Sequence, residues 1–439
     1  MRDFLIVGLV VAGSFAALRR PWIGIMVWTW LSIMNPHRFT WGFAYDAPLA
    51  AIVAVSTMVG LLMTRERESP FKSGAPVILA VLVVWITLSW QFGFDPQGDQ
   101  AQWDKVIKIL GMIFLTLVLL RSKRHIYALA WVCAGSLALL GIKGGMFTLT
   151  TGGGNRVWGP PGSFIEGNNE FALALVMSIP LLRFLQLQID GVWPRRLMMA
   201  VMVLMAASAL GSHSRGGLLA IVAMTLLLWW RGRDRVTSGL VIVLVAVALL
   251  AFMPAEWDAR MATIETYDED SSALGRFAAW WVAWGVATHH FFGAGFEAAR
   301  PELFALYSPY PDLGTPVAHS IYFQMLGHHG FVGLALFLLL GLVTWRTAAR
   351  IRKEAAGVPQ ARWCVDLAGM CQVSLIGYAV GGAFLSLAYF DLPYDIMSLL
   401  VLTQAWVRRK GWQTEPAYAP GWRTIPGLAD PPKQATGPC

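Results

Sequence analysis

The sequence predicts an all-α polytopic membrane protein of about 12 transmembrane helices with one large periplasmic helical loop. Three observations carry this. Of the 439 residues, 56% are hydrophobic and only 14% charged, with mean hydropathy +0.55, whereas soluble domains carry about 25% charged residues. Apolar runs of roughly 15–24 residues recur along the chain, the length that crosses hydrocarbon as a helix. The shorter alternating segments of a transmembrane barrel are absent.

The apolar runs fall at residues 4–18, 22–35, 47–64, 75–92, 104–120, 125–148, 169–188, 196–212, 216–230, 236–253, 320–345, 365–389 and 394–407. The first is too short for a span on its own, and Arg19-Arg20-Pro21 leads straight into the second, so it reads as one arm of a hairpin and not a cleaved signal. Thirteen runs would leave the termini on opposite sides. Several are short, so one is expected to be re-entrant or interfacial. The chain thus divides into transmembrane helices 1 to about 10 (residues 1–253), a periplasmic loop with an interfacial helix (254–318), C-terminal transmembrane helices (319–410) and a disordered cytoplasmic tail rich in Pro, Gly and Thr (411–439).

Sidedness follows from the cations. Alternate connections hold most of the 34 Lys and Arg, in groups such as Arg65, Arg67 and Lys72, or Arg346, Arg350, Arg352 and Lys353. The intervening set holds only Arg2, Arg38, Lys105, Lys108, Arg156, Arg215, Arg260, Arg276 and Arg300. The rich set faces the cytoplasm. The net charge of +8 is therefore a matter of topology, and no nucleic-acid partner is implied. Cys133, Cys364, Cys371 and Cys439 form no CxxC pair and read as buried or reduced thiols.

Three of the outward arginines have distinctive settings. Arg156 lies in the Gly- and Pro-rich stretch Gly152-Gly153-Gly154-Asn155-Arg156-Val157-Trp158-Gly159-Pro160-Pro161. Arg215 lies in the tight turn Gly211-Ser212-His213-Ser214-Arg215-Gly216-Gly217, near membrane depth. Arg276 opens a helical stretch with Trp280, Trp281 and Trp284, expected to lie in the headgroup zone. Any one of these would pass as a headgroup contact. Three on one side suit a lipid-linked diphosphate, because a guanidinium binds phosphate oxygens bidentately and stays charged. His319 stands where the loop re-enters apolar sequence, and imidazole is poised to accept a proton near neutral pH. His328 and His329 lie deeper and are expected to pack or hydrogen-bond. The acids Glu265, Asp268, Glu269 and Asp270 read as solvated surface.

These residues, in this order, resemble the O-antigen ligase family and its wider superfamily with O-antigen polymerases. The resemblance rests on Gly167-Asn168-Asn169-Glu170-Phe171, the turn Ser214-Arg215-Gly216, Arg276 followed by tryptophans and Gly293-Ala294-Gly295-Phe296, and His319-Ser320 ahead of Gly330-Phe331-Val332-Gly333. Where the family often has Asn after the histidine, this chain has Ser320. The opening, Arg20-Pro21-Trp22 through Asn35-Pro36-His37-Arg38-Phe39, resembles a subgroup of O-glycosylation ligases associated with exosortase systems.

The resemblance implies an inverting glycosyltransferase of the GT-C type in a bacterial inner membrane, its active site facing the periplasm. The donor would be a glycan on undecaprenyl pyrophosphate and the acceptor a sugar hydroxyl of lipid A–core, with membrane lipids around both. His319 would be the general base, Arg215 and Arg276 would hold the pyrophosphate, and Arg156, Asn168, Asn169 and Tyr322 would bind substrate. Neither metal nor cofactor is expected, and the sequence shows no P-loop, Rossmann fingerprint or outward DxD motif. An O-antigen polymerase and a protein O-oligosaccharyltransferase share this chemistry. A membrane transporter would instead gather ionisable groups at midplane near broken helices.

Overall fold

A computed structural model of the protein describes residues 1–231, 271–310 and 313–415, with isolated positions between 239 and 247. The described residues form helices without strands. Their order is α1 (Arg2–Arg19), α2 (Pro21–Met34), α3 (Leu49–Met63), α4 (Gly74–Gln91), α5 (Gln100–Leu119), α6 (Lys123–Thr150), α7 (Asn168–Leu187), α8 (Val192–Gly211), α9 (Arg215–Arg231), α10 (Ser271–His289), α11 (Pro301–Tyr307), α12 (Ile321–Glu354), α13 (Arg362–Gly381) and α14 (Asp391–Arg408).

Among the described residues six stretches are long and apolar enough to cross a membrane: α4, α6, α7, α8, α12 and the segment Pro359–Phe384 that contains α13. α2, α3 and α9 are shorter apolar helices. The chain is a membrane protein. Most expected apolar runs coincide closely with helices. α12 continues well beyond the expected end, carrying Arg346, Arg350 and Arg352 out on helix. α13 stops earlier, at the Gly381-Gly382 pair, where a 3₁₀ turn follows. The expected run at 236–253 and the acids Glu265, Asp268, Glu269 and Asp270 lie largely or wholly outside the described residues. The tail expected to be disordered from 411 begins with another helical turn, Gly411–Thr414. Glu415 holds that turn by accepting from the backbone N–H of Lys123 (2.9 Å) and pairing with Arg409 (2.6 Å).

Among the described residues the two sets of connections gather at opposite ends of the bundle. At the cation-rich end, Arg121 pairs with Glu66 (2.5 Å) and Arg409 with Glu68 (3.6 Å), and Arg409 also donates to the carbonyl of Arg121. At the other end the 92–99 connection meets residues 294–296. There Phe94 N–H donates to Ala294 O (3.1 Å), and Phe296 N–H donates to the Asp99 carboxylate (2.7 Å). The sorting of cations in the sequence is thus a sorting in space.

α7 is central: 78% of its apolar window is buried, against 33% for α4 at the rim. Rim helices instead expose large apolar side chains such as Leu62, Val84, Leu139 and Leu197, as a hydrocarbon solvent allows. Close helix approach uses small residues. A Cβ on Gly145 of α6 would collide with the backbone carbonyl of Leu204 on α8, so only glycine permits that contact.

α12 is broken. Gly330 has φ 65° and ψ −171°, outside the helical region, and splits α12 into Ile321–His329 and a longer second half. The break frees carbonyls, and each finds a donor. Ala294 N–H donates to Gly327 O (2.9 Å), Gly295 N–H to His328 O (2.9 Å) and Trp85 Nε1–H to His329 O (2.8 Å). The imidazoles of His328 and His329 both meet the Tyr389 hydroxyl, at 2.9 and 2.7 Å, and His329 also meets Ser89 (2.7 Å). These two histidines pack and hydrogen-bond, as expected from the sequence. Gly330→Ala places a Cβ 2.6 Å from Phe291 O at a glycine-only φ/ψ. It is expected to cost about 1–3 kcal/mol, read as a lowered thermal midpoint of the detergent-solubilised protein.

Candidate functional site

Three helix N-termini meet at the end opposite the cation-rich connections. Asn168, first residue of α7, donates its side-chain N–H to Ser212 O (2.7 Å) in the turn that leads into α9. Ser214 Oγ accepts from Gly217 N–H (3.0 Å) and so caps α9, whose first residue is Arg215. A Cβ on Gly216 would touch Phe384, Leu385 and the Gly381 carbonyl, so the start of α9 rests on the end of α13. A Cβ on Gly382 would in turn collide with Ile321, first residue of α12.

His319 stands two residues ahead of Ile321 with φ 43°, the left-handed region that costs a non-glycine residue about 1 kcal/mol or more. His213, in the turn before Arg215, is also left-handed (φ 57°) and is held by Nε2 against Gly153 O (2.8 Å). Both imidazoles thus sit on strained backbone beside the same helix starts.

His319 Nδ1 lies 3.8 Å from Glu170 Oε1, and both side chains are largely shielded. That distance is too long for a hydrogen bond, and Nδ1 has no hydrogen-bond partner. A carboxylate at Nδ1 favours the tautomer whose lone pair is on Nε2, the form that accepts a proton. Catalytic hydrogen bonds are often long in unliganded structures and tighten on binding.

α10 and the strap before His319 bring in Arg276. Trp280 Nε1–H donates to Ala318 O (2.7 Å), and its ring stacks on Phe323 of α12 with centroids 4.7 Å apart. Gly275 abuts Pro316. Arg276 lies between these two anchors on α10, one turn before Trp280. Trp281 and Trp284 are exposed, whereas Trp280 turns inward and fixes the strap. Arg215 and Arg276 both make interactions within the protein.

Residues 200–338 match the O-antigen ligase family model. That segment is similar to the O-antigen ligase family. It contains the Ser214-Arg215-Gly216 turn, Arg276 and His319. Residues 1–190 match a family of unknown function, DUF5935. No curated protein matches the chain. This match supports a ligase- or polymerase-type function.

The other expected site residues divide around the ligase domain. Arg156 is exposed on the Gly-rich loop, between the Gly153–His213 contact and Val157 N–H donating to Gly211 O (3.0 Å). It therefore joins the Arg215 turn. Asn169 is half-buried beside Asn168 in the first turn of α7. Tyr322 lies at the start of α12. Its hydroxyl donates to Ala379 O (2.8 Å), and its ring lines an apolar cavity of about 300 Å³ between α12, α13 and α14. Sequence reasoning assigned no role to Glu170. At the third position of α7, with its other oxygen over the Gly167 N-cap, it looks like a helix-capping acid, and only the fold shows His319 beside it.

Proposed function

We propose that the protein is an inverting, metal-independent O-antigen ligase of GT-C type in the bacterial inner membrane, with its site facing the periplasm. It transfers a glycan from undecaprenyl pyrophosphate to a sugar hydroxyl of lipid A–core. The acceptor oxygen attacks the anomeric carbon, its proton passes to His319 Nε2, and the bond from that carbon to the phosphate oxygen breaks to release undecaprenyl pyrophosphate. Arg215 and Arg276 carry the charge that grows on the diphosphate, and Arg156 assists from the Gly-rich loop. The dipoles of α7, α9 and α12 add partial positive charge at the same place.

The observation that carries this reading is the pairing of His319 with Glu170 beside the start of α9, where Arg215 stands. The apolar cavity beginning at Ile321 and Tyr322, and running along α12 to Trp345, supports a polyisoprenyl donor. The competing acceptors share this chemistry. Purified protein given lipid-linked glycan is tested with lipid A–core, a second lipid-linked unit and a Ser-containing protein. Product only on lipid A–core supports the ligase. Product only on either alternative overturns the acceptor assignment.

Glu170→Gln keeps shape and removes the charge at Nδ1. It is expected to lower kcat by at least about tenfold, short of the ~10⁴ that follows loss of a tight base–carboxylate pair, with donor KM little changed. Steady-state kinetics against lipid-linked donor checks this.

A further inference from the structure

The DUF5935 region carries a second basic cluster that the transfer chemistry leaves unused. Lys143 lies within α6, two turns from its C-terminus, on a helix apolar enough to span a membrane. Its side chain is exposed. So are Leu139, Met146 and Phe147, which share its face at i−4, i+3 and i+4. An ammonium in such a stripe faces hydrocarbon unless it bends to the interface and meets an anion.

Lys143 bends toward a continuous rim. Its Nζ lies 4.6 Å from the centre of the Phe39 ring. Next to Phe39, the Arg38 guanidinium lies over Tyr45 (4.7 Å), pairs with exposed Asp46 (3.2 Å) and abuts Gly162. Two residues beyond Gly162, the Phe164 ring lies under the Lys105 ammonium at 3.8 Å. Neither Lys105 nor Lys143 has a carboxylate within salt-bridge distance among the described residues. Asp391, the nearby acid, is buried and accepts from Ser32 (2.6 Å), with its Oδ2 unpartnered. Burial, with Arg38 adding to it and Asp46 opposing, lowers the His37 imidazole from its ordinary range. The rim keeps net positive charge on three cations, each held over an aromatic ring.

We propose that this rim holds the phosphate of the acceptor glycolipid, which enters from the membrane past α6. The proposal rests on the ligase reading above. Three features select this occupant. Lys143 stands in a lipid-facing stripe, which selects a lipid over a soluble anion. Cationic side chains with fixed positions select phosphate. The loop that supplies Gly162 and Phe164 leads directly to Glu170 and so to His319. α14 packs against both α5 and α6 and against α12 and α13, so it stands between this rim and the apolar cavity assigned to the donor. The two lipids would then reach His319 from different faces.

The full chain in phosphatidylcholine nanodiscs, doped with diphosphoryl lipid A, its dephosphorylated form or phosphatidylglycerol, is read by native mass spectrometry. Retention of the diphosphoryl form at least about tenfold above the other two is expected, the scale of one charge-assisted contact. Lys143→Gln and Lys105→Gln should each reduce that preference, and Lys108→Gln, already paired with Asp104, should not. Lys143→Gln, on an exposed side chain, remains decisive if Lys105→Gln fails to fold. Equal retention of the two lipid A forms, or of phosphatidylglycerol, overturns the proposal. In transfer assays Lys143→Gln should raise acceptor KM and leave kcat unchanged, and only with phosphorylated acceptor. Lipid retention is read without turnover, so a failure of the ligase reading leaves this result separately visible.

Discussion

His319→Ala is expected to lower the rate of glycan transfer by about 10²–10⁴, the usual range for acid–base assistance. The protein should still fold and insert. Among the described residues His319 Nδ1 has no hydrogen-bond partner, and its side chain is one-third exposed with Nδ1 3.8 Å from Glu170. Alanine also leaves the strap anchored, because Trp280 bonds the carbonyl of Ala318 and not the imidazole. The left-handed backbone at 319 gives a second arm. His319→Gly removes the same imidazole and relieves strain, so it should be as inactive as His319→Ala and at least as stable. If both variants transfer at the wild-type rate, His319 is not the base. If both unfold, the imidazole was structural. Transfer of radiolabelled glycan by purified protein, with thermal unfolding measured on the same preparations, separates these outcomes.

Much of the helical plan was legible in the sequence, for a physical reason. A membrane helix must be apolar over a fixed length, and polar or turn-forming residues flank it, so α3, α4 and α7 match their apolar runs closely. The break at Gly330 was not legible. A glycine inside an apolar run is common in membrane helices, and its φ is fixed by residues 292–296 and by Trp85, all far away in the sequence. The same limit applies to the site. His319, Arg215 and Arg276 stand out because each is polar where apolar sequence begins or ends. Glu170 stood in a quoted motif but had no visible partner, since His319 is remote in the chain. Tyr322 reads as a site residue by its nearness to His319. Its hydroxyl donates to Ala379 O while its ring lines the cavity between α12, α13 and α14, a placement that only the fold shows. The rim of Arg38, Lys105 and Lys143 draws on three separate segments, and no spacing rule connects them.

Arg276→Lys is expected to lower kcat by about 10²–10³, the scale of losing one preorganised donor to a developing anion, and Arg215→Lys by a similar factor. Lysine keeps the charge, so long-range attraction of the donor survives and donor KM should change less than kcat. What lysine lacks is the planar fork that engages two phosphate oxygens at once. That fork gains most when negative charge concentrates on the leaving diphosphate, so the loss falls on the transition state. The setting sharpens the contrast. Arg276 lies between two fixed points, Gly275 against Pro316 and Trp280 against Ala318, so its backbone cannot shift to compensate. Arg215 starts a helix capped by Ser214 and packed on the end of α13. The double variant should lose less than the product of the two single effects if both guanidinium groups grip one diphosphate, since groups acting as a unit are non-additive. Full multiplicativity would mean that they act on separate groups. A silent Arg276→Lys would remove bidentate phosphate recognition from α10, leaving the strap as a purely structural element.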